Sequence, residues 1–256
     1  MNGTFAPAPG AAPALRQVAA QAAMEARLLL RNGEQLLVAV VIPVIVLVGA
    51  VQGADRIGIE LDGRPVDVFT PGVLALAVMS TAFTSLAIAT GFERRYGLLK
   101  RLGTAPLSRT ALLGGKVLAL LVVEVVQLVV IGGVGLALGW SGPEGPVGWL
   151  ALVLAALGGT AAFASLGMLV AGALRAEATL AVANLVYLLL LAGGAVVLPI
   201  EAYGGLGDAV RWLPSGALGE AMRAACDGNV SLRDLAVLLA WAGLGSVLTA
   251  RTFKWE

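Results

Sequence analysis

"GFERRYGLLKRLGTAPLSRTALLGGK" spans Gly91 to Lys116 and holds six of the chain's 17 Lys and Arg residues: Arg94, Arg95, Lys100, Arg101, Arg109 and Lys116. The 25 residues between Asp67 and Glu93, on its amino-terminal side, carry no charge. The 27 residues between Lys116 and Glu144, on its carboxy-terminal side, carry only Glu124. A spanning helix needs about 20 apolar residues, because each residue rises about 1.5 Å through a hydrocarbon core of about 30 Å. The stretch therefore reads as a basic loop joining two membrane-spanning helices.

Other gaps between charges repeat the pattern. Glu34 to Asp55 encloses 20 residues, Glu144 to Arg175 encloses 30, Glu177 to Glu201 encloses 23 and Asp234 to Arg251 encloses 16. The last is short, but Arg233 and Asp234 can sit at the interface. The expected fold is all-α integral membrane. It has six transmembrane helices at residues 35–54, 70–91, 116–138, 148–173, 178–199 and 232–250. Composition agrees: charged residues are 13% of the 256, against about 25% in a soluble domain, and the mean hydropathy is +0.91.

Alternation of the spans sets sidedness. With a cytoplasmic amino terminus, 12 of the 17 basic residues fall on inner segments, and the positive-inside rule chooses that orientation for both termini. Ten acidic residues fall outside and five inside. The opening stretch is then the main cytoplasmic loop, with its charge at least a topological anchor.

Several segments are not spans. Residues 1–13 are small and Pro-rich and read as a disordered tail, not a signal peptide. Residues 15–30 place Leu15, Val18, Ala19, Ala22, Ala26, Leu29 and Leu30 at helical spacing, with Gln17, Gln21 and Glu25 opposite. This predicts an amphipathic helix lying on the inner membrane surface. Residues 201–233 are too polar to span and too apolar for a free loop. They predict short re-entrant helices between spans five and six, one starting near Pro214 and stopping at Gly228. The opening stretch has internal order too: Phe92, Tyr96 and Leu99 fall at i, i+4 and i+7, a stripe that suits a protein partner.

Catalysis by this chain is not expected. It has no histidine and a single cysteine, Cys226, so the usual proton shuttle and Cys-based metal sites are lacking. "LLGGKV" fails as a phosphate loop, because Thr110 and Val117 stand where Gly and Ser or Thr are required. Arg outnumbers Lys 14 to 3 and Ala and Gly abound, which points to a GC-rich bacterial genome.

Polar residues inside spans are candidates for a substrate path: Thr81, Thr84 and Ser85 in span two, Glu124 and Gln127 in span three, Asn184 and Tyr187 in span five. Glu124 reads either as a cavity-lining carboxyl or as a protonated packing group, since burying it costs roughly 3 kcal/mol. Gln127 lies one turn on and is expected near the same face. The hydroxyls equally suit helix–helix contacts, as do the small-residue pairs Gly135 with Gly139 and Gly158 with Ala162.

"FERRYGLLKRLGTAPLSRTALLGGKVLA" resembles the signature of the type-2 ABC transporter permeases, the drug and polysaccharide exporter family. Glu93, Gly97, Leu98, Leu102, Pro106, Leu107, Ser108, Gly115 and Lys116 carry the match, and "LPSGALGEAMRA" and "ARTFKWE" resemble the family's re-entrant segment and terminus. The resemblance implies one permease domain over residues 14–256, in the plasma membrane of a bacterium. It would pair with a second copy and with two separate ATP-binding subunits. ATP and magnesium are expected on those partners, no cofactor on this chain and no nucleic acid. The segment after span two would be a coupling helix touching the ATPase through Phe92, Glu93, Arg94, Arg95, Tyr96, Leu99, Lys100 and Arg101. The mostly apolar path makes an amphiphilic, lipid-like or drug-like molecule the expected exported cargo. The alternatives are an ion-gradient-driven carrier using Glu124, which the absence of an obvious internal repeat disfavours, and a non-transporting scaffold.

Overall fold

A computed structural model describes residues 12–31, 33–57, 63–103 and 108–253. Most of the expected tail, the Thr104–Leu107 step with Pro106, and the last three residues lie outside them, as do the side chains of Leu99, Leu102 and Arg109. All described secondary structure is helical. In chain order it comprises α1 (Ala14–Arg31), α2 (Gly33–Ile57), α3 (Pro65–Met79), a π-helical segment (Ser80–Ser85), α4 (Leu86–Arg95), α5 (Leu98–Gly103) and α6 (Arg109–Ala137). Then follow α7 (Gly145–Ala173), α8 (Ala176–Gly193), a 3₁₀ segment (Ile200–Leu206), α9 (Gly207–Val210), α10 (Pro214–Cys226) and α11 (Leu232–Thr252).

Five helical stretches are long and apolar enough to cross a membrane: Pro65–Arg95, which runs through α3, the π segment and α4, and then Ala111–Ala137, Gly145–Ala173, Ala176–Gly193 and Leu232–Thr252. The apolar part of α2, Ala39–Ala54, is shorter. Local chemistry sets several boundaries. Ser108 caps α6 by accepting the Ala111 N–H at 3.1 Å, which satisfies one of the orphan donors of a helix start. Pro214 sits in the first turn of α10, where its missing N–H costs nothing.

α7 is the central post, packed by α11, α10 and α4. Phe83 and Phe163 meet edge to face at 6.3 Å in the core. Close approach depends on glycine: a Cβ on Gly167 would lie 2.8 Å from the Phe83 carbonyl oxygen and 3.2 Å from that of Ala82. Those oxygens belong to the π segment, whose backbone cannot retreat without opening α3 from α7. Gly167→Leu is therefore expected to destabilise the chain by about 3 kcal/mol, the upper part of the usual range for overpacking. Thermal unfolding in detergent measures it, and an unchanged midpoint would show that α7 has room to shift.

Four sequence expectations change. Span two begins at Pro65 and runs to Arg95, beyond the expected 70–91, so Glu93 belongs to its last turn. Span five ends at Gly193, short of residue 199, because Gly194–Pro199 is a largely buried non-helical bend in which Ala195 has φ +51°. Phe92, Tyr96 and Leu99 do not share one helix: α4 stops at Arg95 and Gly97, at φ +68°, turns the chain into α5. Lastly, α1 turns its polar stripe inward. Gln21 of that stripe is buried, beside Ala26 of the apolar one, while Leu15, Met24 and Leu28 are exposed, since Gln17, Gln21 and Glu25 find partners on or near α6.

Candidate functional site

The ends of α4, α7 and α11 and the start of α6 gather at one end of the bundle, beside α1. Their junction is a buried ion cluster. Lys116, only 4% exposed, donates from Nζ to Glu93 at 2.7 Å and to Glu25 at 2.8 Å. Gln21 donates to the same Glu25 oxygen at 2.9 Å. Gly115 permits the approach, because a Cβ there would stand 2.5 Å from the Gln21 side chain. One ammonium thus joins α1, α4 and α6 through two carboxylates. Glu93 Oε2 is buried without a hydrogen-bond partner among the described residues. Lys116 is thus held inside the protein by an ion cluster.

The neighbouring arginines divide their tasks. Arg94 donates to the carbonyls of Gly172 and Leu174, closing the carboxy-terminal end of α7. Arg95 pairs with Glu177 at the start of α8, with both side chains largely exposed. Phe92 and Tyr96 stack at 6.1 Å, and Tyr96 is 71% exposed. Lys100 and Arg101 are exposed on α5. Of the expected contact residues, Tyr96, Lys100 and Arg101 face outward, whereas Glu93 and Arg94 are turned into the protein. The cluster fixes this end of span two and leaves an aromatic-basic knob projecting from it.

Within the bundle the expected path residues separate into pairs. Thr81, in the π segment, donates to Gln127 at 2.9 Å, and Gln127 donates to the Ala39 carbonyl of α2 at 2.8 Å. Ser80 stands close to Tyr187 of α8. Glu124 turns the other way from Gln127, to the Thr160 hydroxyl of α7 at 2.6 Å. That hydroxyl also lies 2.8 Å from the Ala156 carbonyl, and its single proton serves one of them. Thr84 Oγ1 and Glu124 Oε1 are buried without partners among the described residues. Ser85 is half-buried and Asn184 exposed on α8. The π segment thus aims hydroxyls at α6 and α8 at once. A π turn shifts side-chain register by one residue, and such turns recur at functional sites.

A second polar knot lies at the opposite end of the bundle. The Arg223 guanidinium reaches the carbonyls of Ala195, Val196, Val197 and Leu198 at 3.0–3.4 Å and pairs with Glu220 at 2.6 Å. It gives donors to the carbonyls of the bend that ends α8, as buried backbone groups require. Beside it a cavity of about 630 Å³ is bounded by Asp67, Trp140, Glu144, Glu201, Arg223 and Asp227, among others. Neither Arg223 nor Glu25 was among the expected site residues, and Glu25 entered only through the polar face of the amphipathic helix. The only local signal for Arg223 was an i,i+3 acid–base pair in an otherwise apolar segment.

A family model described as ABC-2 family transporter protein matches residues 64–251. A search among curated proteins finds no match to the chain.

Proposed function

Because the chain belongs to the ABC-2 family of transporter proteins, a multi-pass class whose membrane subunits generally work with separate ATP-binding subunits, we propose how its parts serve that role. The carrying observation is the aromatic-basic knob of Tyr96, Lys100 and Arg101, held on the end of span two by the Glu93–Lys116–Glu25 cluster. Tyr96 enters a cleft of the ATPase subunit, and Lys100 and Arg101 meet its acidic rim. Closure of the ATPases on ATP pushes the knob, and the ion cluster passes the displacement to α1 and α6 together. The ATP and magnesium stay on the partner.

In this reading residues 14–256 form one permease domain. α2 is the sixth span, completed by residues flanking Ala39–Ala54, and α1 lies at the membrane surface with Leu15 and Leu28 toward lipid. Positive charge places both termini in the cytoplasm. α10 and the short helices before it sit as re-entrant pieces in the outer leaflet, and Arg223 satisfies the Ala195–Leu198 bend that leads into them. The exposed face of α8, with Leu185, Leu188 and Leu189, meets a second copy. Thr81, Thr84, Ser85, Gln127, Asn184 and Tyr187 stand near the route taken by an exported amphiphile, and Glu124 lines it from α6.

The test is Tyr96→Ala in the permease–ATPase complex. Truncating a central interface aromatic costs about 2 kcal/mol, so association is expected to weaken roughly thirtyfold. Cargo efflux should fall with it, while the melting temperature of the permease stays unchanged because Tyr96 is exposed. The proposal fails if no ATP-binding subunit co-purifies, or if Tyr96→Ala leaves association and efflux intact. Efflux that ignores ATP but disappears with the proton gradient and in Glu124→Gln would establish the ion-driven alternative.

A further inference from the structure

The two sides of α1 differ in charge. Toward α6 it turns Val18 and Ala22, which lie against Gly114 and Gly115, and Glu25, which pairs with Lys116. Away from α6 it turns Arg16, Arg27 and Arg31, all exposed. At 3.6 residues per turn these three fall within about 60° of one another around the helix. Arg16 stands about 16 Å from Arg27 along the axis, and Arg31 follows one turn beyond. They form a line of guanidiniums along most of an 18-residue helix.

No carboxylate among the described residues lies within ion-pair distance of Arg16, Arg27 or Arg31. Glu25 is the one acid of α1, and it is turned to Lys116 on the opposite side. Arg27 and Arg31 are four residues apart, so they repel each other as like charges on one face. The borders of the stripe are apolar. Leu15 and Leu30 flank it on one side, Met24 and Leu28 on the other, and Leu15 is 80% and Leu28 62% exposed. A headgroup layer matches both features. Its phosphates suit the guanidiniums, each of which can take two oxygens at once, and the upper acyl chains suit the leucines.

We propose that the outward stripe of α1 binds the anionic headgroups of phospholipids in the leaflet on its side of the bundle. The site rests on the reading of α1 as a membrane-surface helix and not on contact with an ATPase. Because the same helix supplies Glu25 to Lys116, lipid held at the stripe braces the buried junction without touching it.

The full chain alone, with no ATP-binding subunit, is enough for the test. Native mass spectrometry after release from mixed phosphatidylglycerol–phosphatidylcholine micelles should show phosphatidylglycerol preferred among the lipids retained. Arg16→Gln, Arg27→Gln and Arg31→Gln should each lower that preference about fivefold, the effect of one basic residue near an anionic surface. Arg233→Gln, at the start of α11, should leave it unchanged. The chain should also melt at a higher temperature in nanodiscs containing phosphatidylglycerol than in phosphatidylcholine alone. The triple variant should lose that difference and still match the unaltered chain in phosphatidylcholine. A phosphatidylglycerol preference that survives in the triple variant overturns the proposal. So does inorganic phosphate that reproduces the rise in phosphatidylcholine nanodiscs, which would make the stripe a site for free anions. A polarity-sensitive fluorophore on Leu28→Cys, in a Cys226→Ser background, tells two failures apart. Water-like emission in both nanodiscs removes α1 from the membrane surface, and the lipid site with it. Lipid-like emission with an unchanged preference in the triple variant removes the anionic site alone.

Discussion

Lys116→Met is expected to destabilise the chain by about 3–5 kcal/mol, the usual consequence of removing one partner from a buried ion pair. Lys116 is 4% exposed, and Glu93 and Glu25 are 18% and 15% exposed, so water gives them little relief. Without the ammonium, two carboxylates are left facing each other across the junction of α1, α4 and α6. Unfolding in detergent should show a fall of roughly 10 °C in Tm for a chain of this size. Replacing all three charges, with Glu93→Gln and Glu25→Gln added to Lys116→Met, should recover most of that loss, because neutral groups of similar volume carry no uncompensated charge. If the triple variant is as unstable as the single one, packing rather than charge holds the junction. The same series separates stability from coupling. A recovered Tm with efflux still lost would mean that the ionic link itself transmits the movement of the knob.

Arg223→Ala carries the second large effect, about 3 kcal/mol. It leaves four carbonyls of the Ala195–Leu198 bend without their donor, and Glu220 without its partner. A buried group left unsatisfied costs about 1–3 kcal/mol, and neighbouring losses do not add in full. The defect should be local. Amide exchange should rise across residues 194–199 and the start of α10, while the centre of α7 keeps its protection. Arg223→Lys should rescue little, because an ammonium cannot fan out across several carbonyls as a planar guanidinium does. Full recovery with lysine would show that charge alone suffices at this position.

Much of the architecture is readable along the chain. The candidate spans follow from apolar gaps of about membrane length, and the helix Pro214–Cys226 from Pro214 and Gly228. The errors share a cause. Asking for a charge-free window cut span two short at Gly91, although the helix continues to Arg95 because Glu93 is neutralised by Lys116 and Arg94 bonds the end of α7. Counting apolar residues carried span five to residue 199, although Gly193 and Gly194 break it and Arg223 makes the break stable. The amphipathic pattern of α1 was real, but its polar stripe faces protein instead of water, a difference no periodicity records.

Sequence by itself determined the membrane class, the approximate spans, the basic loop and the family resemblance. Hydropathy and charge act locally there, and the bilayer converts them into lengths and sides. Only the tertiary structure decided which polar groups meet. Lys116 finds Glu25 from 91 residues away and Glu93 from 23, Thr81 finds Gln127, and Glu124 turns to Thr160 instead of toward Gln127's partners. Those pairings depend on helix rotation and on close approach at glycines such as Gly115 and Gly167. Packing of several helices at once sets both, and no single stretch of the chain contains them.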